Sequence, residues 1–209
     1  MKYDFSEYPI CDADMWVYLW LSDYINRVFD KYGKLVFADV VEQEILEWEN
    51  GDNKYKDIAH FFKACKVEEQ VIVINHEEHI EAGDRLILEQ ALMDLDFKHG
   101  LRNSPREKDK GEFVSALYAD HFNIPFMKTN DNSFQDGGRG KKEFPELRIK
   151  NWYSLVEEFS VDQDEKIKIR RLIDEEQKIM KRKHETYKVE KKKEDLLQAF
   201  ADKFNGKRL

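Results

Sequence analysis

The stretch Tyr8-Pro9-Ile10-Cys11-Asp12-Ala13-Asp14 decides the expected fold. A short apolar run ends abruptly at two aspartates, and from Met15 to Phe29 apolar residues recur at the spacing of a helix. Short apolar runs bounded by polar turns are typical of strands buried in a parallel sheet. This segment therefore predicts a strand, an acidic turn and a long helix.

The same pattern repeats along the chain. Further short apolar runs lie at residues 34–37, 70–74, 124–129 and 147–149. Helical spacing lies between or after them, at 39–48, 57–65, 86–97, 109–119 and 153–159, and a Gly and Lys-rich loop is expected at 137–142. Strands that alternate with helices favour a parallel sheet covered on both faces. We expect an α/β protein, a three-layer α/β/α domain with about five parallel strands.

Length and composition exclude several classes of protein. The chain has 209 residues, which suggests one medium domain with an appendage. Its two cysteines exclude a disulfide framework, and its longest apolar stretch, residues 15–21, is far shorter than the roughly 20 residues of a membrane span. Acidic residues stand where a secretory signal would be basic, so we expect a cytoplasmic protein.

Charge divides the chain into two parts. Residues 161–209 hold 15 basic and 11 acidic side chains, a net charge of +4, whereas residues 1–160 carry −12. An acidic body argues against broad adhesion to phosphates, and fits either an ordinary soluble surface or carboxylates gathered around a cation. We expect a domain over 1–159 and a charged extension over 160–209, built of one or two weakly amphipathic helices.

Acidic residues recur where strands end and helices begin. The carboxyl ends of parallel strands meet at one edge of a sheet, which is where ligands bind. Several carboxylates cannot share such a pocket without a cation, and Mg²⁺ and Mn²⁺ prefer oxygen ligands. The sequence thus indicates a metal site suited to phosphodiester hydrolysis. Its candidate residues are Asp12, Asp14, Glu44, Asp109, Glu112 and Asp131.

Four motifs together resemble the PIN domain family. Ile10-Cys11-Asp12-Ala13-Asp14 is similar to its opening strand, and Ala38-Asp39-Val40-Val41-Glu42-Gln43-Glu44-Ile45 to its second signature. Asp109-Lys110-Gly111-Glu112 resembles the third, and Lys128-Thr129-Asn130-Asp131-Asn132-Ser133-Phe134 the fourth. The resemblance covers roughly residues 8–158, with the motifs in the family's order.

The resemblance implies a metal-dependent endoribonuclease that cuts single-stranded RNA with a metal-activated water. Members of the family are often the toxin of a bacterial toxin–antitoxin pair, so a protein antitoxin or a second copy of the chain would be its partner. The implied catalytic and metal-binding residues are Asp12, Glu44, Glu112 and Asp131, with Asp14 and Asp109 close by. Thr129 and Asn130 would support them, Thr129 by orienting Asp131 through its hydroxyl.

Basic residues flank the expected site on both sides. Those before Glu112 are Arg102, Arg106, Lys108 and Lys110, and those after Asp131 are Arg139, Lys141 and Lys142. Their ammonium and guanidinium groups are candidates for gripping phosphates. The alternative for each is an ordinary solvated loop.

Ordinary structural roles and other functions stay open at this point. Asp39 is expected to cap a helix, His76 and His79 to lie on a solvated turn, and Trp16 to belong to the core. A PIN-like module that binds RNA or a protein without cutting is one alternative function. A nuclease that acts on flapped or single-stranded DNA is the second. A phosphatase or nucleotide-binding fold is a third and weaker alternative, because the sequence has no Gly-rich phosphate loop after the first strand.

Overall fold

The computed structural model describes residues 3–50, 53–102 and 107–179. The chain divides into two compact units, Met1–Lys166 and Ile167–Leu209. The first unit holds the sheet and all the candidate site residues. The described part of the second unit, residues 167–179, is helical, and the rest of the expected extension lies outside the described residues.

Five parallel strands form one sheet in the first unit. They are β1 (Ile10–Cys11), β2 (Leu35–Ala38), β3 (Val71–Ile74), β4 (Met127–Lys128) and β5 (Ile149–Lys150). Their order is β3-β2-β1-β4-β5, with Ile10 opposite both Val36 and Met127. The predicted α/β class with a parallel sheet is therefore confirmed. Because the chain first runs outward from β1 to β3 and then returns to add β4, the strand order reverses at β1 and β4.

Helices connect these strands, and their arrangement is compatible with layers on both faces of the sheet. They are α1 (Ala13–Leu21), α2 (Ile25–Tyr32), α3 (Asp39–Glu47), α4 (Asn53–Val67), α5 (His76–His79), α6 (Ala82–Asp94), α7 (Lys110–His121), α8 (Arg139–Glu143) and α9 (Trp152–Phe159). Short 3-10 turns lie at Phe5–Glu7, Trp48–Asn50 and Asn132–Phe134. Among the described helices, none is both long and apolar enough to cross a membrane.

The long first helix expected over 15–29 is wrong, because the chain breaks it at residues 22–24. Asp23 adopts a left-handed backbone with φ of 60°. The Tyr24 amide donates to the Leu19 carbonyl at 3.1 Å and the Ser22 hydroxyl donates to the same carbonyl at 3.2 Å, which closes α1. The apolar spacing continues through this turn, so the pattern alone did not reveal it. The loop expected at 137–142 likewise contains the short helix α8.

Aromatic side chains hold α1 and α4 against the sheet. Trp16 is fully buried, as expected, and its ring meets Phe37 of β2 and Phe62 of α4 edge-on at centroid distances of 5.6 and 5.4 Å. Such edge-to-face contacts add to the stabilisation from apolar burial. This packing fixes the start of α1, and with it the position of Asp12.

Candidate functional site

The ends of β1 and β4 meet at the centre of the sheet. Cys11 pairs with Lys128, and the Asp12 amide donates a hydrogen bond to the Lys128 carbonyl at 3.1 Å. The residues that follow these two strands therefore leave the same edge side by side. They include Asp12 on one strand and Asp131 on the other.

Asp12 is a buried aspartate that uses one carboxylate oxygen in the fold. It is the N-cap of α1, where Oδ1 accepts a hydrogen bond from the Met15 amide at 2.7 Å. The side chain is 1% exposed, and Oδ2 is buried without a hydrogen-bond partner among the described residues. An unpaired buried carboxylate oxygen is costly, and a cation is one group that would satisfy it.

Asp131 is held in a similar way at the end of β4. Its Oδ1 accepts a hydrogen bond from the Ser133 amide at 2.6 Å, which starts a 3-10 turn. Its own amide donates to Oγ1 of the buried Thr129 at 3.1 Å. The Thr129 hydroxyl oxygen thus contacts the backbone amide of Asp131.

Glu112 and Glu44 approach from two helices. Glu112 lies in the first turn of α7, where its charge interacts with those of Asp12, Asp131 and Glu44. Oε2 of Glu44, on α3, lies 3.8 Å from the position that a Cβ atom would take on Gly111. The structure therefore brings the four implied ligands, from β1, β4, α3 and α7, within electrostatic reach of one another.

Burial and the charges of neighbouring acids raise the pKa values of Asp12, Glu112 and Asp14. Burial, then the charge of Asp14, raise the pKa of Asp12 to about 8, while the nearby Thr129 hydroxyl and the Met15 amide act to lower it. Burial, then the charge of Asp12, raise the pKa of Glu112 to about 9. Burial among the neighbouring side chains, then the charge of Asp131, raise the pKa of Asp14 as well, although its side chain is exposed. Near neutral pH Asp12 and Glu112 hold protons that a bound cation would displace.

The carboxylates are near one another without forming a tight ligand set. Within residues 3–50, 53–102 and 107–179, no group of three or more His, Cys, Asp or Glu side chains is arranged to hold a metal ion. The donor chemistry, carboxylate oxygens with one unpaired and buried oxygen on Asp12, nevertheless fits Mg²⁺ or Mn²⁺.

Two of the predicted residues bond away from this cluster. Oδ2 of Asp109 accepts hydrogen bonds from the Ser133 hydroxyl at 3.3 Å and from Nζ of Lys108 at 3.1 Å. Oδ1 of Asn130 accepts from the Trp152 amide at 3.4 Å, so this side chain supports the start of α9. Asp109 thus borders the cluster, and Asn130 ties β4 to the next helix.

The predicted basic residues differ in their surroundings. Lys110 is only 4% exposed. Its ammonium donates a hydrogen bond to the Arg102 carbonyl and lies 3.5 Å from Glu107, contacts that compensate its buried charge. Nζ of Lys141 donates to the carbonyls of Pro145 and Leu147. Both lysines therefore brace loops of the fold. The exposed members are Arg102, Lys108, Arg139 and Lys142, and Arg106 lies outside the described residues.

A second polar network was missed by sequence reasoning. Oδ2 of Asp39 accepts from the His76 amide at 2.9 Å, and Oδ1 accepts from the Tyr118 hydroxyl at 3.3 Å. Asp39 therefore links α3 to α5 and α7, and its Oδ1 also accepts from the amide of its neighbour Val40. The expectation that Asp39 caps α3 is wrong, because Ala38 is the N-cap. The expectation of a solvated His76 is wrong, since this residue is buried. Its flanking glutamates hid that burial.

Lys128 is a buried cation that the sequence pattern also concealed. It is fully buried in β4, with Nζ 4.2 Å from the centroid of the Tyr32 ring and without a hydrogen-bond partner among the described residues. Burial lowers its pKa to about 7.

No protein-family model, curated protein or solved structure matches the chain. The chemistry of these residues is therefore what supports a function.

Proposed function

We propose that the chain is a nuclease of the PIN-domain type that uses Mg²⁺ or Mn²⁺ to hydrolyse phosphodiester bonds in single-stranded RNA. The observation that carries this proposal is the buried, unpaired Oδ2 of Asp12 among acids whose charges raise one another's pKa values. A fold gains nothing from crowding such groups unless a cation joins them. The position of the cluster, where the strand order reverses, is the usual ligand site of a parallel sheet.

Each acid has a part in holding the cation. Asp12, Glu112, Asp131 and Glu44 would supply carboxylate oxygens, with Asp14 and Asp109 at the border of the site. The Met15 amide fixes Oδ1 of Asp12 and leaves Oδ2 for the ion. Thr129 and the Ser133 amide fix Asp131 in the same manner. Ligands fixed by such supporting hydrogen bonds bind metal more tightly than mobile ones.

The proposed reaction needs no nucleophile from the protein. When bound, the ion lowers the pKa of a water and polarises a phosphoryl oxygen. The two cysteines are unsuited to attack, because both are buried and burial raises the pKa values of both thiols, that of Cys65 to about 12. The residues of this chain would position the phosphate and the ion, and the exposed Lys108 and Arg139 would face the RNA.

The finer features of the proposal rest on the sequence motifs. They are a three-layer PIN-like domain over 1–159, a charged extension over 160–209, a cytoplasmic setting, and an antitoxin or a second copy as protein partner. The two buried free cysteines and the α/β sheet are compatible with this set.

Hydrolysis of a labelled single-stranded RNA in Mn²⁺, Mg²⁺ or EDTA tests the proposal. We expect metal-dependent cleavage that Asp12→Asn and Asp131→Asn abolish. The matched control is Asp120→Asn, an exposed aspartate on α7 outside the cluster. Full cleavage by the double variant at equal metal concentration would discard the mechanism.

The same assay separates the two alternative functions. A labelled single-stranded or flapped DNA, cut faster than the RNA, would assign the chemistry to DNA. RNA binding that is indifferent to EDTA, without any cleavage, would identify a binding module instead.

A further inference from the structure

A cavity of about 320 Å³ lies beside the acidic cluster, and Asp109 borders both. Its walls include Phe97, Phe113, Lys108, Ser133 and Arg139. Its size is at the lower end of the range for small-ligand pockets, roughly 300–1,000 Å³. The cavity is therefore large enough for one small group, and its lining indicates which kind.

Two aromatic rings and one accessible guanidinium line the cavity. The rings of Phe97 and Phe113 are almost fully buried, with centroids 5.4 Å apart. The guanidinium carbon of Arg139 lies 5.6 Å from the centroid of Phe113, and the Arg139 side chain is 45% exposed. A planar ring that entered the cavity would contact the apolar side chains of Phe97 and Phe113 and the planar guanidinium of Arg139.

Close packing of two glycines fixes the position of Arg139. A Cβ atom on Gly138 would lie 2.3 Å from the Ser133 carbonyl oxygen, and one on Gly140 would lie 2.6 Å from the Phe134 ring. The backbone on both sides of Arg139 is thus pressed against the turn that follows Asp131. The glycine-rich segment 137–140 places the guanidinium rather than leaving it on a loose loop.

The side chain of Arg139 remains available to a ligand. Its ion pair with Asp96 spans 3.4 Å, and the Asp96 side chain is 88% exposed. Exposed ion pairs of this kind contribute little to stability, so a ligand could displace this one readily.

Ser133 connects the cavity to the acidic cluster. Its hydroxyl donates to Asp109 at 3.3 Å on the cavity side, and its amide donates to Oδ1 of Asp131 at 2.6 Å. A group in the cavity would therefore lie beside Ser133, whose amide is bonded directly to a proposed metal ligand. A base bound there would belong to a nucleotide next to a phosphate held at the acidic cluster.

We propose that this cavity binds the base of the nucleotide adjacent to the scissile phosphate, an inference that rests on the proposed nuclease function. Unpaired bases of single-stranded RNA stack on aromatic rings and on arginine guanidinium planes. The three acids that share the lining, Asp96, Glu107 and Asp109, disfavour a phosphate there and do not repel a neutral ring. The cavity would thus select single-stranded substrates, whose bases are free to turn outward.

The test measures binding of short labelled RNA oligonucleotides that carry one abasic position, moved along the strand. The full chain with Asp12→Asn binds without cutting, and fluorescence anisotropy gives Kd in EDTA. We expect one abasic position to raise Kd about tenfold, within the range that stacking of a single base contributes. Adding Arg139→Gln should weaken the intact oligonucleotide to the same extent and remove the effect of that abasic position.

Two further variants separate stacking from charge and from folding. Arg139→Lys keeps the charge and loses the plane, so it should resemble Arg139→Gln in its indifference to the missing base. Arg85→Gln is the matched control, since Arg85 also forms a surface ion pair, with Glu77. It should keep both the parent affinity and the abasic effect. Unchanged circular dichroism of all variants establishes that each is folded.

The outcomes distinguish this inference from the nuclease proposal. An abasic effect that persists in Arg139→Gln, or equal weakening of intact and abasic RNA, would overturn the base pocket and make Arg139 a phosphate contact. No binding of any oligonucleotide would overturn it as well. Base-dependent binding by a chain that never cleaves RNA would support the pocket and reject the nuclease.

Discussion

Asp12 and Lys128 share a backbone hydrogen bond of 3.1 Å, and burial shifts the pKa of each side chain towards its neutral form. The charges that act on Asp12 are those of Asp14 and Asp131, whereas those that act on Lys128 include Glu158, Lys150 and Lys31. An acid with a raised pKa and a lysine with a lowered pKa thus stand at the ends of neighbouring strands. The two residues give opposite pH dependences, which can be measured separately.

Replacing Lys128 by Met should stabilise the protein. The lysine is buried against the Tyr32 ring, and its pKa is about 7 in the folded chain and near 10.5 when unfolded. The unfolded chain therefore binds more protons between pH 7 and 10.5, so stability rises with pH in that window. At pH 6 the lysine costs its full amount, and Lys128→Met should raise the free energy of unfolding by roughly 2–4 kcal/mol.

Urea denaturation at pH 6 and at pH 10 measures this effect. The gain from Lys128→Met should shrink at pH 10, which approaches the pKa of the lysine in the unfolded chain. Lys142→Met changes an exposed lysine and serves as the control. An equal gain at both pH values would show that the cost of Lys128 is not one of charge.

Asp12→Asn should stabilise the protein in EDTA, with the opposite pH dependence. The pKa of Asp12 rises from 3.8 in the unfolded chain to about 8 in the folded one, so its contribution is complete below pH 4 and is lost as pH rises through 8. Asparagine keeps the helix cap and carries no charge. We expect Asp12→Asn to add about 1–3 kcal/mol at pH 8 and little at pH 4.

Chemical denaturation from pH 4 to pH 9 in EDTA checks this expectation, with Asp120→Asn as the control. A variant less stable than the parent at pH 8 would mean that the Asp12 carboxylate has a partner even without metal. Stability and cleavage should thus move in opposite directions for this one substitution.

The sequence predicted the strands and the acids at their ends, because both depend on local patterns. The apolar runs around Ile10 and Met127 read as buried strands, and Asp12 and Asp131 follow them directly. The adjacency of β1 and β4 depends on chain topology, which local patterns do not determine, and the structure supplied it.

The features that the sequence missed depend on tertiary environment. Lys110 was expected to contact phosphate or to lie on a solvated loop, yet it is held by the Arg102 carbonyl. Nothing in the predicted strand at 124–129 indicated that the ammonium of Lys128 would lie among aromatic rings. The break at Asp23 was hidden because apolar spacing continues across it. The network of Asp39, His76 and Tyr118 joins residues far apart in sequence, which no local pattern reveals.

Binding of Mn²⁺ at pH 7 should release protons. Without metal, Asp12 and Glu112 retain protons because their pKa values are about 8 and 9, and only ionised carboxylates bind the ion. We expect release of up to about two protons per chain and a higher Tm in Mn²⁺. Isothermal titration calorimetry in two buffers of different ionisation enthalpy counts the protons.

The count should fall at pH 9.5, where both acids are ionised beforehand. Asp12→Asn should lower both the proton count and the gain in Tm. A Tm gain of equal size in Asp12→Asn would place the ion elsewhere on the chain.

Alanine at Gly138 or Gly140 should destabilise the turn that carries Arg139. The added Cβ would lie 2.3 Å from backbone oxygen at Gly138 and 2.6 Å from the Phe134 ring at Gly140, so the surroundings must shift. Overpacking of this kind costs about 1–3 kcal/mol, and Gly138→Ala should cost more because its neighbour is backbone rather than a side chain. Gly83→Ala is the matched control: its Cβ meets nothing within 4 Å near the start of α6, and alanine there should be neutral or stabilise by up to about 1 kcal/mol. Thermal melts of the three variants measure the order. A Gly138→Ala protein as stable as Gly83→Ala would mean that the glycine-rich segment is free to move, and that Arg139 is not held at the cavity by its backbone.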